Sequence, residues 1–315
     1  MDSFPACKPL IPRLRKPGVV VEEQLAEIQA EAITYPERHR QLTAIRYYLR
    51  QALWQCENRW KGIHHGITNY ATLLDEIERW RLEWNDKVCF VTFNYDTMLE
   101  EAMAQVLRLE VLNMDSYRDW GNYSLFKLHG SIDWGRIVEG VQRGGRPPGS
   151  FYQQMIDTLP DRLLITGRYT LCTIQMHPKP DTNLVLFPAL SIPVQKKDVF
   201  ECPLAHIAAL EANLPHVTKM MTIGWRATEA EFLNRLVSYL PRQSGPLPIL
   251  PSKVRSPKLL IVSGSDDGAR ETAVNLARYG VTHSPAQETY KSVDTGFTGL
   301  ITHNLATLRD FLRTS

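Results

Sequence analysis

The stretch that decides the fold is Val88-Cys-Phe-Val-Thr-Phe-Asn94-Tyr-Asp96-Thr-Met-Leu-Glu100, and a second stretch of the same kind follows at Leu125-Phe-Lys-Leu-His129-Gly130. Each is an apolar run that ends in polar residues where a β-strand should end. In open α/β sheets, ligands bind beyond the carboxyl ends of the strands. We therefore expect Asn94, Asp96 and His129 to share one pocket.

The composition fits a globular chain with a large core. With 315 residues, of which 43% are hydrophobic, the chain can form one large α/β domain or two ordinary ones. It has 36 Lys and Arg against 34 Asp and Glu, and its net charge is +2. This balance gives no global electrostatic reason to expect nucleic acid or an anionic membrane as a partner.

The cysteines and the N-terminus favour a cytoplasmic protein. The five cysteines are never closer than 30 residues, which excludes a C-x-x-C zinc knuckle and gives no disulfide framework. We predict reduced and mostly buried thiols. The sequence has neither a signal peptide pattern nor a run of about 18 apolar residues that would span a membrane.

The pattern of apolar residues changes near residue 87. Residues 1–86 are predicted to be a mainly helical portion, in which residues 1–16 are extended and a helical block covers 19–86. The longest apolar stripe contains Leu42, Ile45, Leu49, Leu53, Cys56 and Trp60. The opposite face of that helix is expected to carry Arg40, Arg46, Arg50 and Glu57. In residues 87–315 strands alternate with helices, which indicates a Rossmann-like parallel sheet with covering helices. Short β-like runs at 163–190 are candidates for a small β insertion, and a proline-rich linker covers 241–257.

The residues after the first strand have two possible roles. Asn94 and Asp96 precede a helix whose start, Thr97 to Glu100, matches a capping box, so exposed backbone donors there favour polar or anionic ligand atoms. Alternatively, Asn94 and Asp96 only shape the turn and cap the helix. The local sequence leaves both roles open.

His129 and Gly130 are equally ambiguous alone. A histidine can accept a proton near pH 7, and a following glycine allows the backbone to approach a ligand closely. A single histidine at a strand end can also be structural.

Two further turns follow apolar strands. Gly224 and Trp225 follow one strand, and a second capping-box match, Thr228 to Glu231, follows them. Gly264 to Gly268 follows the strand at 258–263, and Asp266 could accept ribose hydroxyls. This G-x-x-x-G pattern lacks the lysine and the glycine spacing of nucleotide-binding loops, so it is a weak signal.

Two other features are not expected to bind ligands. His64 and His65 are adjacent, so they point in different directions, and no second ligand pair lies three or four residues away. Metal binding is not predicted. The glycine-rich segment 140–150 does not connect a strand to a helix, so we do not interpret it as a phosphate loop, and we expect its arginines, Arg143 and Arg146, to be solvated.

Three strings together resemble a known family. Phe93-Asn94-Tyr-Asp96, Lys127-Leu-His129-Gly130-Ser-Ile-Asp133-Trp134 and Ile223-Gly224-Trp225 resemble, in order and spacing, the sirtuin-like domains of bacterial anti-phage defence proteins. The resemblance extends from about residue 8 to the C-terminus. Its most specific parts are the N-Y-D and K-L-H-G-S-I-D-W strings.

The resemblance implies an NAD hydrolase that cleaves the nicotinamide–ribose bond and depletes NAD during infection. It implies that Asn94 orients the water or ribose, that Asp96 contacts the nicotinamide side and that His129 is the base. The residues expected to bind the dinucleotide are Thr92, Gly130, Gly224, Trp225, Ser263, Gly264 and Asp266. The zinc-binding cysteine quartet of protein-deacylating sirtuins is absent, so neither zinc nor deacylation is expected. Expected partners are a second copy of the chain or a defence protein such as a translocase ATPase.

The sequence departs from the family pattern in three places. The family opens with a strand and a Gly-rich phosphate loop, whereas this sequence opens with Met1-Asp-Ser-Phe-Pro. Trp225, Arg226 and Glu231 replace a usual Tyr, Ser and Asp, and Ser263 replaces an Asn that usually ends the last strand. These departures leave open an alternative function, a catalytically inactive module that binds NAD or ADP-ribose or assembles with partners.

Overall fold

The computed structural model describes residues 4–18, 20–64, 68–146, 151–158, 162–192, 200–241, 257–282 and 290–313. The chain forms two compact units from interleaved segments. Unit 1 consists of Met1–Ile67, Phe90–Ala104 and Leu109–His206, and unit 2 consists of Thr68–Cys89, Gln105–Arg108 and Ile207–Ser315. The two portions predicted from the sequence, residues 1–86 and residues 87–315, therefore do not coincide with the two units. Most of the expected proline-rich linker, 242–256, lies outside the described residues, as does His65.

The predicted mixed α/β architecture with parallel strands and many helices is confirmed. A 3-10 helix (Pro5–Leu10) comes first, so the prediction of an extended N-terminal segment is wrong for these residues. Three α-helices follow: α1 (Ile11–Leu14), α2 (Val21–Glu31) and α3 (Pro36–His64). The helix α4 (Asn69–Trp84) leads to β1 (Val88–Thr92), α5 (Met98–Leu107) and β2 (Tyr123–Lys127). Strands β1 and β2 pair with each other, so the two stretches that decide the fold are neighbours.

Unit 1 also contains a four-stranded antiparallel sheet, of which the sequence predicted only the part at 163–190. Its strands are β3 (Gly130–Gln142), β4 (Leu164–Cys172), β5 (Pro178–Lys179) and β6 (Leu184–Leu190), in the order β5-β4-β3-β6. A short helix, α6 (Tyr152–Asp157), lies between β3 and β4 in the chain. The expected β insertion at 163–190 is therefore part of a larger sheet, because β3 pairs with both β4 and β6.

The core of unit 1 joins the N-terminal helices to this sheet. Buried apolar residues of α2 and α3 pack with those of β3 and β6, including Ile28, Ile45, Tyr47, Val138 and Phe187. The predicted stripe of α3 is correct in its first half, but Cys56 is exposed and Glu57 is buried. The helix therefore changes from an apolar to a charged buried face along its length.

Unit 2 contains a parallel sheet. Strands β7 (Lys219–Ile223), β8 (Lys258–Val262) and β9 (Tyr290–Val293) lie in that order, and both pairs are parallel. The helices of this unit are α4, then α7 (Leu204–Asn213), whose first residues belong to unit 1, α8 (Ala230–Tyr239), α9 (Asp266–Tyr279), α10 (Gly296–His303) and α11 (Leu305–Arg313). The apolar spacing of residues 299–312 predicts a single amphipathic element, but the structure has two helices there. Within the described ranges no helix is long and apolar enough to cross a membrane.

Candidate active site

The predicted site residues fall into two groups, one in each unit. Unit 1 holds Thr92, Asn94, Asp96, His129 and Gly130, and unit 2 holds Gly224, Trp225, Ser263, Gly264 and Asp266. Each group is described separately below.

The turn after β1 is a compact polar turn. The Thr92 hydroxyl accepts a hydrogen bond from the Asn94 amide at 3.1 Å, and the Asp96 carboxylate accepts one from the Met98 amide at 3.1 Å. Asp96 therefore caps the start of α5, as the structural alternative predicted. The Asn94 side chain is exposed at the tip of this turn.

This turn is hydrogen-bonded to the segment that follows β2. The Leu128 amide donates to the Thr92 carbonyl at 3.2 Å. The Tyr95 carbonyl accepts from the Ile132 amide at 2.9 Å and from the Ser131 hydroxyl at 3.2 Å. The N-Y-D and H-G-S-I-D strings are therefore adjacent in space, although more than 30 residues separate them in sequence.

His129 lies inside this junction. Its side chain is only 4% exposed, and its ring lies 4.9 Å from the Phe93 ring and 6.3 Å from the Tyr95 ring, measured between centroids. Its carbonyl accepts a hydrogen bond from the Ser191 amide at 3.0 Å. The aromatic neighbours place the imidazole in a largely apolar setting beside the N-Y-D turn.

Beneath the turn lies a buried ion pair that sequence reasoning missed. Lys127 and Glu100 are 1% and 7% exposed, and their charged atoms are 2.7 Å apart. The Lys127 ammonium also donates to the Asp96 carbonyl, and the Tyr117 hydroxyl donates to Glu100 at 3.2 Å. Lys127 therefore fixes the turn that carries Asn94 and Asp96. The sequence signal that could have revealed this ion pair is the position of Lys127 in an otherwise mainly apolar strand.

Glu100 consequently has a different role from the one predicted. It does not complete a capping box with Thr97, because its carboxylate is bonded to Lys127 and Tyr117. Instead Glu57 of α3 accepts from the Thr97 amide at 2.9 Å and from its hydroxyl at 2.6 Å. Burial, opposed by Lys127 and assisted by Asp133, raises the pKa of Glu100 to about 7.

Gly130 has a structural explanation. Its φ is +83°, and a Cβ there would overlap the Ala189 carbonyl oxygen of β6. The close approach that this glycine permits is thus to a neighbouring strand. The idea that it lets a ligand approach the backbone is not needed to account for it.

Gly224 and Trp225 form a turn at the end of β7. Gly224 has a φ of +64°, and its amide donates to the Val262 carbonyl at 2.9 Å. The Trp225 indole donates to Glu229 and its ring packs edge-on to Phe232 at 5.5 Å. The predicted capping box at Thr228 is wrong, because Glu231 is ion-paired with Arg235 at 2.7 Å.

The turn after β8 joins two helices to the sheet. The Ser263 amide donates to the Val293 carbonyl at 2.8 Å, and its carbonyl accepts from Gly296 at 2.6 Å. Ser265 caps α9 by accepting from the Gly268 amide at 3.1 Å, so the helix starts at Asp266, whereas the sequence alone predicts a start at Ala269. Asp266 is exposed and ion-paired with Arg270 at 2.9 Å. Gly264 lies beside Gly296.

Two arginines expected to be solvated have partners. Arg143 is ion-paired with Asp181 at 2.9 Å, and Arg146 lies over the Phe151 ring at 4.5 Å. A groove of about 450 Å³ on the antiparallel sheet is lined by Ile137, Val138, Glu139, Gly140, Val141, Arg168, Thr182, Asn183 and Leu184. That lining includes none of the predicted site residues.

In the part of the chain that the structure describes, no group of three or more His, Cys, Asp or Glu could hold a metal ion. Comparison of the chain with protein-family models, with curated proteins and with solved structures found no match.

Proposed function

We propose that the chain is a sirtuin-like, Rossmann-type NAD hydrolase whose catalytic centre is formed by Asn94, Asp96 and His129. The observation that carries the proposal is the junction in unit 1. The two most specific strings of the resemblance are joined there by three hydrogen bonds to Thr92 and Tyr95. The parallel sheet of unit 2 is consistent with such a fold.

The proposed reaction is the hydrolysis of NAD to nicotinamide and ADP-ribose. The bond between ribose C1′ and the nicotinamide nitrogen breaks, and its electron pair leaves with nicotinamide. The oxygen of a water molecule forms a bond to C1′ and gives its proton to His129. Because positive charge develops on the ribose, the Asn94 amide oxygen and the Asp96 carboxylate stabilise the transition state.

The biological role is part of the same proposal. We propose that the enzyme acts in the cytoplasm, without zinc, as an anti-phage effector that depletes NAD. It would work as a homo-oligomer or with a defence partner such as a translocase ATPase. These statements follow from the resemblance.

A second function, a catalytically inactive module that binds NAD or ADP-ribose or assembles with partners, is favoured by two observations. His129 is 4% exposed, and the Asp96 carboxylate already accepts a hydrogen bond from Met98. Both groups therefore have structural roles that would persist after loss of activity.

The test measures nicotinamide released from NAD by the purified chain. We expect Asn94→Ala to lower the rate on the order of 100-fold. The melting temperature should be unchanged, because Asn94 is exposed. His129→Asn keeps a polar group in the buried position and should lower the rate similarly. His303→Ala, at an exposed position of α10, is the matched control and should keep the wild-type rate.

Equal release by the wild type and Asn94→Ala would reject the proposed enzyme. Calorimetric titration with ADP-ribose then separates the remaining possibilities. Binding of ADP-ribose without release of nicotinamide supports the inactive NAD-binding module. If ADP-ribose does not bind, the remaining function is assembly with partners, and light scattering after size-exclusion chromatography measures the assembly state.

A further inference from the structure

Two arginines of unit 1 share one carboxylate. Arg46 on α3 and Arg136 on β3 each lie 3.6 Å from a carboxylate oxygen of Glu201. These distances are longer than a hydrogen bond, and Glu201 instead accepts one from the Tyr169 hydroxyl at 3.1 Å. The cluster therefore keeps one excess positive charge.

Both guanidinium groups are held in place by other contacts. Arg46 donates to the Leu190 carbonyl and lies over the Phe187 ring at 5.9 Å. Arg136 donates through Nε to the Thr166 carbonyl at 2.9 Å and lies over the Tyr169 ring at 5.7 Å. Their side chains are still 27% and 28% exposed, so further N–H groups can reach a ligand.

The backbone connects this cluster directly to the candidate active site. Leu190, the acceptor for Arg46, precedes Ser191, whose amide donates to the His129 carbonyl at 3.0 Å and whose carbonyl accepts from the Tyr95 hydroxyl at 3.0 Å. The Glu201 amide donates to the Leu128 carbonyl at 3.0 Å. Cluster and site are thus adjacent parts of one unit.

We infer that Arg46 and Arg136 form an oxyanion site that binds a phosphate group of the dinucleotide. The inference rests on the proposed function for the identity of the ligand. Planar guanidinium groups match phosphate oxygens by paired hydrogen bonds, and pre-oriented donors lose little entropy on binding. Glu201 holds the two positive groups together in the free protein and weakens the site by its negative charge.

The test is calorimetric titration of the whole chain with inorganic pyrophosphate, ADP-ribose and nicotinamide riboside, the last of which lacks phosphate. We expect pyrophosphate and ADP-ribose to bind and Arg136→Gln to weaken both by about tenfold, the usual size of one lost charge-assisted hydrogen bond. Arg46→Gln should have a similar effect. Nicotinamide riboside should be unaffected by either change.

Two further variants separate a ligand site from a structural ion pair. Arg168→Gln removes the same charge from the neighbouring strand β4, where Arg168 pairs with exposed Glu139 at 2.7 Å, and should leave binding unchanged. Glu201→Gln should tighten binding about threefold, because it removes a competing negative charge. A purely structural cluster would not give this gain, and Gln can still accept the Tyr169 hydrogen bond.

The inference is overturned if pyrophosphate does not bind, or if the Arg46 and Arg136 variants bind it as the Arg168 variant does. Its failure is distinguishable from failure of the proposed hydrolase. Phosphate binding without nicotinamide release would reject the hydrolase alone, and release by a chain whose arginine variants bind normally would reject only the oxyanion site. Binding of pyrophosphate but not ADP-ribose would assign the site to free phosphates and overturn its dinucleotide role.

Discussion

In unit 1 the turn after β1 is held in part by a buried charged side chain, whereas in unit 2 the turns after β7 and β8 are held by backbone amides and uncharged side chains. The first turn rests on a buried lysine, Lys127, and on backbone hydrogen bonds from the segment around His129. The turns at Gly224 and Ser263 rest on amide–carbonyl bonds to neighbouring strands and on the Thr272 hydroxyl, which donates to the Trp225 carbonyl. Replacing one partner of a buried ion pair leaves the other charge buried and unpaired, so the first turn is the more sensitive to a single substitution.

The largest expected effect comes from Lys127→Met. It leaves the Glu100 carboxylate buried without its counter-ion and removes the donor to the Asp96 carbonyl. We expect a loss of about 3–5 kcal/mol in the free energy of unfolding, measured by urea denaturation. Adding Glu100→Leu should recover more than half of the loss. A single variant as stable as the wild type would show that the ion pair does not hold the turn.

Replacing one glycine by alanine in each unit should lower the free energy of unfolding by different amounts. Gly130→Ala has to overcome a positive φ and an overlap with the Ala189 carbonyl, so the loss should exceed about 2 kcal/mol. Gly224→Ala meets only the positive φ, with no atom within 4 Å of the new methyl group, and should cost about 1 kcal/mol. Equal losses in denaturation experiments would contradict the difference in packing.

The buried ion pair should also give unit 1 a pH dependence. Because burial raises the pKa of Glu100 from an ordinary 4.5 to about 7, the folded chain binds its proton more tightly than the unfolded chain does. The contribution of Glu100 to stability is therefore greatest below about pH 4.5, decreases as the pH rises through 7 and is constant above about pH 8.

Glu100→Gln removes this contribution. The difference in unfolding free energy between wild type and variant should change from about pH 4.5 to about pH 8 and be flat above that. The contributions of other titratable groups cancel in this difference. Parallel curves over the whole range would contradict the raised pKa.

The smallest effect is expected at the surface of unit 2. Asp266→Asn breaks an exposed pair with Arg270 at the start of α9, and the melting curve should indicate a loss below about 1 kcal/mol. A loss as large as that of Lys127→Met would remove the contrast between the two units.

Sequence patterns located strands well where apolar runs are continuous. Strands β1 and β8 were predicted to within one residue, and β7 ends at the predicted residue, because each is a mainly apolar run that stops at a polar residue or a glycine. The long strand β3 was missed. It starts directly after His129 and its partners β4 and β6 lie far along the chain, so no local period marks it.

The candidate site was predictable only in part. The sequence predicted that Asn94, Asp96 and His129 lie close together, because each follows the end of a strand. In the structure the segments that carry them are hydrogen-bonded to each other. The buried charges Glu57 and Glu100 were expected to be solvated or to cap a helix, because periodicity gives the face of a residue but not its partner. Glu57 also pairs with Lys61 one helical turn away, but its bond to Thr97 and the pair of Glu100 with Lys127 join residues 40 and 27 positions apart.

The contact between Gly130 and Ala189 limits how the site can be transplanted by protein engineering. A designer who moves the two polar loops to another scaffold has to bring the end of β6 with them, because Ala189 shapes Gly130 and Ser191 binds the His129 carbonyl. A graft that keeps these contacts therefore contains at least residues 88–134 together with 187–192, and it needs a carboxylate in the place of Glu57 to accept from Thr97. Exchange of the antiparallel sheet alone would change the support of the backbone at His129, even though no polar loop is altered.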